Sequence, residues 1–306
     1  MTTDFKNLTS LLDFFKTDEI CKAWYEQQRW GGSPVCPHCN HDKVYRTTRG
    51  FKCANNTCYK KFSVTVGTIF ENSKIGLRTW FAAMYLVSTS KKGVSSLQLA
   101  EQLGITQKSA WFVLSRIRTM LKENAPEKLS GTVEIDETYI GGKISNKHAW
   151  ERKAIKNSTS PLIKTPIVGL QERGGDIRCH VVPNVNRANV LPIVVNSVES
   201  SATIYTDSSH MYTPLKSTYS HDAVNHTQGE YVRGLCHTNS IESFWAVMKR
   251  GIVGIYHSVS EKHLHLYCNE FEFRHNNRTD TGVAKFETAI SKVDSARITY
   301  NGLIGK

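Results

Sequence analysis

Long apolar runs are missing from this chain. None approaches the roughly 20 residues that a membrane-spanning helix needs. Met1 to Phe15 carries polar and charged residues throughout, with no apolar stretch of the kind a secretory leader has. These absences predict a cytoplasmic protein with no membrane partner, in a compartment where disulfides are rare. Acidic residues are in deficit too, with 27 Asp and Glu against 39 Lys and Arg, a formal net charge of +12. A surplus of that size points to a polyanionic partner, most simply nucleic acid. It is uneven: residues 1–130 hold 19 Lys and Arg against 10 Asp and Glu, the remainder 20 against 17. The first part is therefore expected to hold DNA. A hydrophobic share of 40% over 306 residues leaves ample core for one large domain or two to three smaller ones.

Cysteine is present eight times, and four of the eight fall in metal-ligand spacing, Cys36-Pro-His-Cys39 and Cys53-Ala-Asn-Asn-Thr-Cys58. Four thiolates on two tight turns are what a tetrahedral structural Zn2+ requires. A pair of redox CxxC sites is the rival, but Cys53 and Cys58 have the wrong spacing for it. Between the two cysteine pairs lie Val44-Tyr45-Arg46 and Phe51-Lys52, short strands joined by a Thr-Arg-Gly turn. That is a zinc ribbon, closed and hence non-catalytic. Helical periodicity precedes it from Leu8 to Arg29, with Asp18 as a candidate cap and Cys21, Trp24 and Tyr25 on an inner face. Arg46 and Arg49, with the lysines around them, suit phosphate contacts. Cys21, Cys179, Cys236 and Cys268 are scattered and read as ordinary reduced residues. The first module spans residues 1–70.

Residues 71–130 carry a helix-turn-helix pattern. Leu77 to Ser88 is apolar enough for a buried helix. Leu97, Ala100 and Leu103 are expected to face a core, Gly104 permits a turn, and Thr106 caps a second helix. The inner face of that helix is Ala110, Val113, Leu114 and Ile117. Its leading residues Gln107 and Lys108 are candidates for a DNA groove, with Arg116 and Arg118 behind them. Three helices packed for their own sake are the plain alternative.

Residues 131–306 form the third module. Gly131 to Gly142 alternates like a strand, with Val133 and Ile135 facing one way and Glu134 and Asp136 the other. Glu134 and Glu137 compete with Asp136 for any acid role. Lys143 to Lys164 is polar and basic and reads as a loop. Strands follow at Pro166–Gln171 and Ile177–Pro183, then a helix at Asn189–Val198 with Pro192 in its first turn. A strand at Ala202–Asp207 ends in a second aspartate. In His237–Arg250, read as a helix, Ile241, Phe244, Trp245 and Met248 make an apolar stripe. Asn239, Glu242, Ala246 and Lys249 share another face. Two strand-end aspartates and a helical glutamate are the hard oxygen ligands that a pair of Mg2+ or Mn2+ ions needs for phosphodiester chemistry. A last helix runs from Lys262 to Arg274. Phe286 to Ile304 reads as a helix and an extended tail.

Several strings carry a resemblance. They are Val133-Glu-Ile-Asp-Glu-Thr-Tyr-Ile-Gly-Gly142, Tyr205-Thr-Asp207, Gly229 through Gly251, Gly254-Ile-Tyr-His-Ser-Val-Ser260 and Glu270-Phe-Glu-Phe-Arg-His-Asn276. Behind the zinc ribbon, they resemble the DDE-type transposases of bacterial insertion sequences related to the Merlin transposons, over roughly residues 10–280. The resemblance implies an α+β fold, an RNase H-like mixed β-sheet flanked by helices, preceded by the zinc ribbon and the helix-turn-helix. It implies Asp136, Asp207 and Glu242 as the catalytic acids, and Lys249 as a contact to the transposon end. Some relatives use an asparagine as the third residue, so Asn239 stands beside Glu242 as a candidate. Arg233 and Arg250 are further candidates for phosphate contact.

The implied activity is Mg2+-dependent cleavage at the terminal inverted repeats of an insertion sequence and transfer of the 3′-ends to target DNA. The protein would work at the nucleoid as a homodimer or larger assembly, since two ends must be paired. Two rivals stay open. One is a DNA-binding regulator with a non-catalytic third module. The other is an RNase H-like nuclease that cuts without joining.

Overall fold

The computed structural model describes residues 5–123, 127–142, 145, 148–156, 164–225, 228–230, 232–294 and 298–304. The chain divides into two compact units. The first is Met1–Leu121 together with Thr279–Lys306, and the second is Lys122–Arg278. The sequence suggested three modules, with the C-terminal residues belonging to the third. Instead, the ribbon and the helices after it share one unit, and the last segment of the chain returns to it.

The first unit begins with α1 (Leu8–Phe14) and α2 (Asp18–Trp30). Thr17, not Asp18, caps α2, its hydroxyl accepting from the Ile20 amide at 3.4 Å. Asp18 caps a different helix. Its Oδ1 accepts at 2.9 Å from the Arg78 amide in the first turn of α3 (Leu77–Thr89), whose own cap position, Gly76, has no side chain to offer. A methyl at Gly76 would meet Asp18 Oδ1 at 2.7 Å, so the glycine leaves room for the carboxylate. The ribbon between them is a three-stranded antiparallel sheet of β1 (Val44–Thr47), β2 (Gly50–Cys53) and β3 (Lys61–Phe62). The first two strands match the sequence reading; the short third one was not foreseen. Phe51 and Phe62 stack over the buried Cys36 and Cys53.

After α3 come α4 (Ser96–Leu103) and α5 (Gln107–Met120), joined by a turn in which Gly104 is left-handed at φ 62° and Thr106 caps α5. The expected inner face of α4 is only partly right. Leu99 is fully buried and Leu97 is 71% exposed. On an eight-residue helix, rotation by one position decides which leucine meets the core.

The second unit is built on a five-stranded sheet. Its strands are β4 (Thr132–Ile140), β5 (Thr165–Glu172), β6 (Ile177–Val181), β7 (Thr203–Asp207) and β8 (Ser220–Val224), in the order β6-β5-β4-β7-β8. β4, β5 and β6 are antiparallel neighbours; β4, β7 and β8 run parallel. Between β4 and β5 lies α6 (Ala149–Lys156), in a stretch that the sequence suggested was all loop. Residues 143, 144, 146, 147 and 157–163 of that stretch lie outside the described residues. α7 (Arg187–Ser197) starts earlier than expected because the Asn186 side chain caps it, so Pro192 falls in its second turn.

Alternation along β4 separates two cores. Val133 and Ile135 join Val190 and Val194 of α7, Ile204 of β7 and Tyr212 of a 3-10 helix on one face. The other face is covered by α8 (Asn239–Gly251) and α9 (Glu261–Asn276), which contribute Ile241, Phe244, Trp245, Met248, Leu264 and Phe271. A mixed sheet with helices on both faces is the RNase H-like architecture that the resemblance implied.

The chain then re-enters the first unit. α10 (Gly282–Ser291) lies along α3 and inserts Phe286, fully buried, among Phe5, Phe15, Trp24 and Phe81. Asp294 pairs with Arg29 at 2.9 Å. In α11 (Tyr300–Ile304), Tyr300 meets Phe112 edge to face and takes the Lys108 ammonium over its ring. The last segment is thus part of the first unit's core and not a tail.

Candidate active site

β4 and β7 pair in parallel through Thr132–Thr203, Val133–Ile204 and Glu134–Tyr205. The ladder stops there, and Asp136 and Asp207 each lie two residues further along their own strands. Asp136 is partly buried, and its carboxyl is pushed up to about 6. Loss of water is the main cause. The negative charges of Asp207 and Glu242 push the same way, while the Glu137 amide opposes them. The Trp245 indole N–H, buried and without a hydrogen-bond partner of ordinary geometry, lies close enough to ease the shift slightly. Asp207 and Glu242 are thus close enough for their charges to be felt at Asp136.

Asp207 and Glu242 are each held by a group close by in sequence. Asp207 Oδ1 accepts at 3.1 Å from the Ser209 amide, which fixes the turn after β7. Glu242 sits on the exposed side of the first turn of α8, and its Oε1 accepts from the Thr238 hydroxyl at 2.9 Å. Asn239 is exposed one turn earlier, and its amide reaches His237 Nδ1 at 3.4 Å. Lys249 and Arg250 are exposed at the far end of the same helix.

The two rival acids of β4 have separate lives. Glu137 faces the α7 side, where the Tyr212 hydroxyl donates to it. Burial, with Asp136 and Asp207 nearby, raises it to about 7. Glu134 is 0% exposed. Its Oε1 takes Arg173 Nε at 2.9 Å and the Ser240 hydroxyl at 3.0 Å; its Oε2 takes the amides of Ser240 at 2.9 Å and Ile241 at 3.1 Å. A buried carboxylate needs this many donors.

Arg173 was missed in the sequence, although it ties the whole corner together. Besides Glu134 it donates to the Leu235 and His237 carbonyls at 3.0 and 3.2 Å and lies over the Tyr205 ring. Nothing local marked Glu134 as buried either: its apolar neighbours Val133 and Ile135 face the other side of the strand, and its donors come from residues 173, 240 and 241.

The DNA candidates divide sharply. Arg46, Arg49, Gln107 and Lys108 are exposed in the first unit. Arg46 pairs with Glu26 at 3.0 Å, and Gln107 donates to the Ser96 hydroxyl at 2.9 Å. Arg116 and Arg118 are a correction, being only 5% and 2% exposed. Arg116 spends its guanidinium on the carbonyls of Ile69, Glu71 and Ile298, so no phosphate can reach it. They fall on the inner side of α5 because Val113, Leu114 and Ile117, beside them, face the core. In the second unit, Arg233 is half-exposed and already paired with Asp222 and Glu230.

The four ribbon cysteines come together as expected. Their sulfurs all lie within 4.8 Å of one another, with Cys36–Cys58 at 3.9 Å and Cys39–Cys53 at 3.5 Å. Zinc–sulfur bonds of about 2.3 Å in a tetrahedron put sulfurs about 3.8 Å apart, so the cluster fits a structural zinc. Among the described residues it is the one group of three or more potential ligands close enough to hold a metal as it stands. Also among the described residues, no helix is long and apolar enough to cross a membrane.

Comparison with known proteins matches these two regions separately. Residues 128–276 match the ISXO2-like transposase domain, and residues 16–61 match the transposase zinc-ribbon domain. A transposase-like protein of Haemophilus influenzae is 35% identical over 98 residues, which cover 32% of this chain and 78% of that protein. This chain belongs to the ISXO2-like transposase family. A protein in transposable element ISH50 of Halobacterium salinarum is 28% identical over 263 residues, covering 81% of this chain and 87% of its own length. The transposase match spans β4 to α9 and hence Glu134, Asp136, Glu137, Asp207 and Glu242, while the residues of α3 to α5 lie outside both matched regions.

Proposed function

We propose that this transposase cuts DNA at the terminal inverted repeats of its insertion element and joins the 3′-ends to target DNA. Asp136, Asp207 and Glu242 are its catalytic acids. The carrying observation is that Asp136 and Asp207 lie on the parallel neighbours β4 and β7 while α8, tied to β4 through Glu134, carries Glu242, so that both charges bear on the Asp136 carboxyl. Three acids gathered by two strand ends and a helix are costly without a counter-charge. Hard oxygen donors of this kind suit Mg2+ or Mn2+. Such cations supply activation of the attacking water or 3′-hydroxyl and relief of charge on the leaving oxygen. The chain's own residues hold and orient the acids. Glu242 is favoured over Asn239 as the third acid because it bears on Asp136 and is oriented by Thr238. Lys249, exposed two turns further along α8, would meet a phosphate of the element end, and Arg250 would serve beside it.

The first unit would hold the repeat. Gln107 and Lys108 open the second helix of a helix-turn-helix, and Arg46 and Arg49 lie on the ribbon, so both exposed pairs can meet DNA. Two ends must be joined together, which requires a dimer or a larger assembly.

The test is nicking and joining of a labelled duplex carrying the terminal repeat, with Mg2+ or Mn2+. Asp136→Ala, Asp207→Ala, Glu242→Ala and Asn239→Ala run beside the wild type. Cleavage at the repeat boundary, lost in the three acid variants and kept in Asn239→Ala, supports the reading. Cleavage without joining would leave a nuclease. Repeat binding with no cleavage in either metal would leave a regulator and remove the catalytic assignment.

A further inference from the structure

A helix normally caps itself, but α8 does not. Thr238 stands at its cap position with φ −118° and ψ 22°, outside the extended conformation that capping residues adopt. Its hydroxyl does not turn back to the helix amides; it donates to Glu242. The amides of Ser240 and Ile241, at the second and third helical positions, would be left without partners. Both are taken by Glu134 Oε2 from β4. The other oxygen of Glu134 is fixed by Arg173, which also holds the segment leading into α8 through the Leu235 and His237 carbonyls.

We propose that Glu134 and Thr238 are positioning residues for catalysis, Glu134 by capping α8 from β4 and Thr238 by orienting the Glu242 carboxylate. This inference rests on the reading of Asp136 and Glu242 as catalytic acids. Glu134 and Asp136 are two residues apart on one face of one strand. The strand that supplies the first acid therefore also anchors the helix that supplies the third. The anchoring is short and rigid: one side chain, two amides, then one turn to Glu242. The anionic cap also meets the positive end of the helix dipole, as a neutral cap would not. Thr238 is free to serve Glu242 only because Glu134 has taken over its usual task.

The test uses the full chain with Glu134→Gln, Thr238→Val and Thr238→Ser. Glutamine keeps the size of Glu134 but removes the charge, and its carboxamide NH2 must face donors whichever way it turns, Arg173 on one side or the Ser240 and Ile241 amides on the other. In metal-free Glu134→Gln, the Ser240 and Ile241 amides should exchange with solvent about tenfold faster or more, with the β4–β5 amides unchanged. On the repeat duplex with Mg2+, its nicking kcat should fall about 10- to 100-fold. Repeat affinity should stay within about twofold, because the loss lies in geometry and not in DNA contact. Thr238→Val should show the same kcat loss, and Thr238→Ser, which restores the hydroxyl, should recover it.

If Glu134→Gln exchanges faster yet nicks like the wild type, the cap is structural only and the proposal falls. Should Glu134→Gln fail to fold, the threonine pair decides: equal rates in Thr238→Val and Thr238→Ser overturn the proposal. A wild type that never nicks removes the catalytic reading and this inference with it. An active wild type with unaffected variants removes only this inference.

Discussion

The indole of Trp245 on α8 lies against Gly169 on β5, where a methyl group would stand 2.8 Å from Cη2 and 2.9 Å from Ile241 Cδ1. Gly169 is also the cross-strand partner of Asp136. The absent side chain therefore lets the helix bearing Glu242 lie close to the strand bearing Asp136. Gly169→Ala should destabilise the second unit by about 1–3 kcal/mol through overpacking. It should also slow nicking, because the indole and its helix must move outward together. Urea unfolding and single-turnover nicking check this; an alanine variant as stable and as fast as the wild type would remove the packing argument.

The cysteine cluster has a simple consequence. The ribbon's core is little more than Phe51, Phe62 and the buried Cys36 and Cys53, too small to hold its fold alone. Metal analysis should find one zinc per chain in this cluster. Stripping it with a strong chelator, or Cys53→Ser, should unfold the ribbon while the β-sheet unit keeps its circular dichroism. Unchanged repeat binding after zinc loss would show that the ribbon is not part of the DNA-holding surface.

Local pattern made much of this legible. The C-x2-C and C-x4-C spacing gave the metal cluster, alternation on β4 gave the face of Asp136, and the stripe of Ile241, Phe244, Trp245 and Met248 gave the buried side of α8. What stayed hidden depends on partners far apart in sequence. Asp18 looked like the cap of its own helix, because nothing local says that it reaches Arg78. Glu134 looked like a spare acid, because its donors come from residues 173, 240 and 241. Arg116 and Arg118 looked like DNA ligands, because an arginine inside a unit is recognised only by the carbonyls around it. The C-terminal segment carried no motif, so its place in the aromatic core of the first unit could not be read locally.

Those arginines separate binding from stability. Lys108 lies exposed in the first turn of α5, while Arg116 on the same helix is buried against three carbonyls. Lys108→Ala should weaken repeat binding and lower the salt dependence by about one counterion. Arg116→Ala should leave the salt slope alone and cost the first unit about 2–4 kcal/mol, since buried carbonyls lose a charged donor. Fluorescence anisotropy across a salt series, beside thermal unfolding, distinguishes them. The reverse pattern would put Arg116 at the DNA.

Glu272 on α9 gives a pH dependence separate from that of the three acids. Its carboxylate accepts from the amide of Cys179 on the edge strand β6, and burial lifts it to about 7. The Cys179 amide and Arg178 pull the other way without cancelling the effect. In the unfolded chain the group titrates near its ordinary 4.5. Between that value and 7 the folded protein holds a proton that the unfolded chain has released. The stabilisation is therefore complete below about 4.5 and is lost as pH rises through 7. From pH 5 to pH 8 the metal-free second unit should lose about 1–3 kcal/mol from this group. Asp136 and Glu137, also raised, add losses of the same sign. Glu272→Gln keeps an oxygen for the Cys179 amide and has nothing to ionise. It should be more stable than the wild type at pH 8, with the gap closing toward pH 5. Parallel stability–pH curves for the two proteins in urea would show that Glu272 titrates normally in the fold.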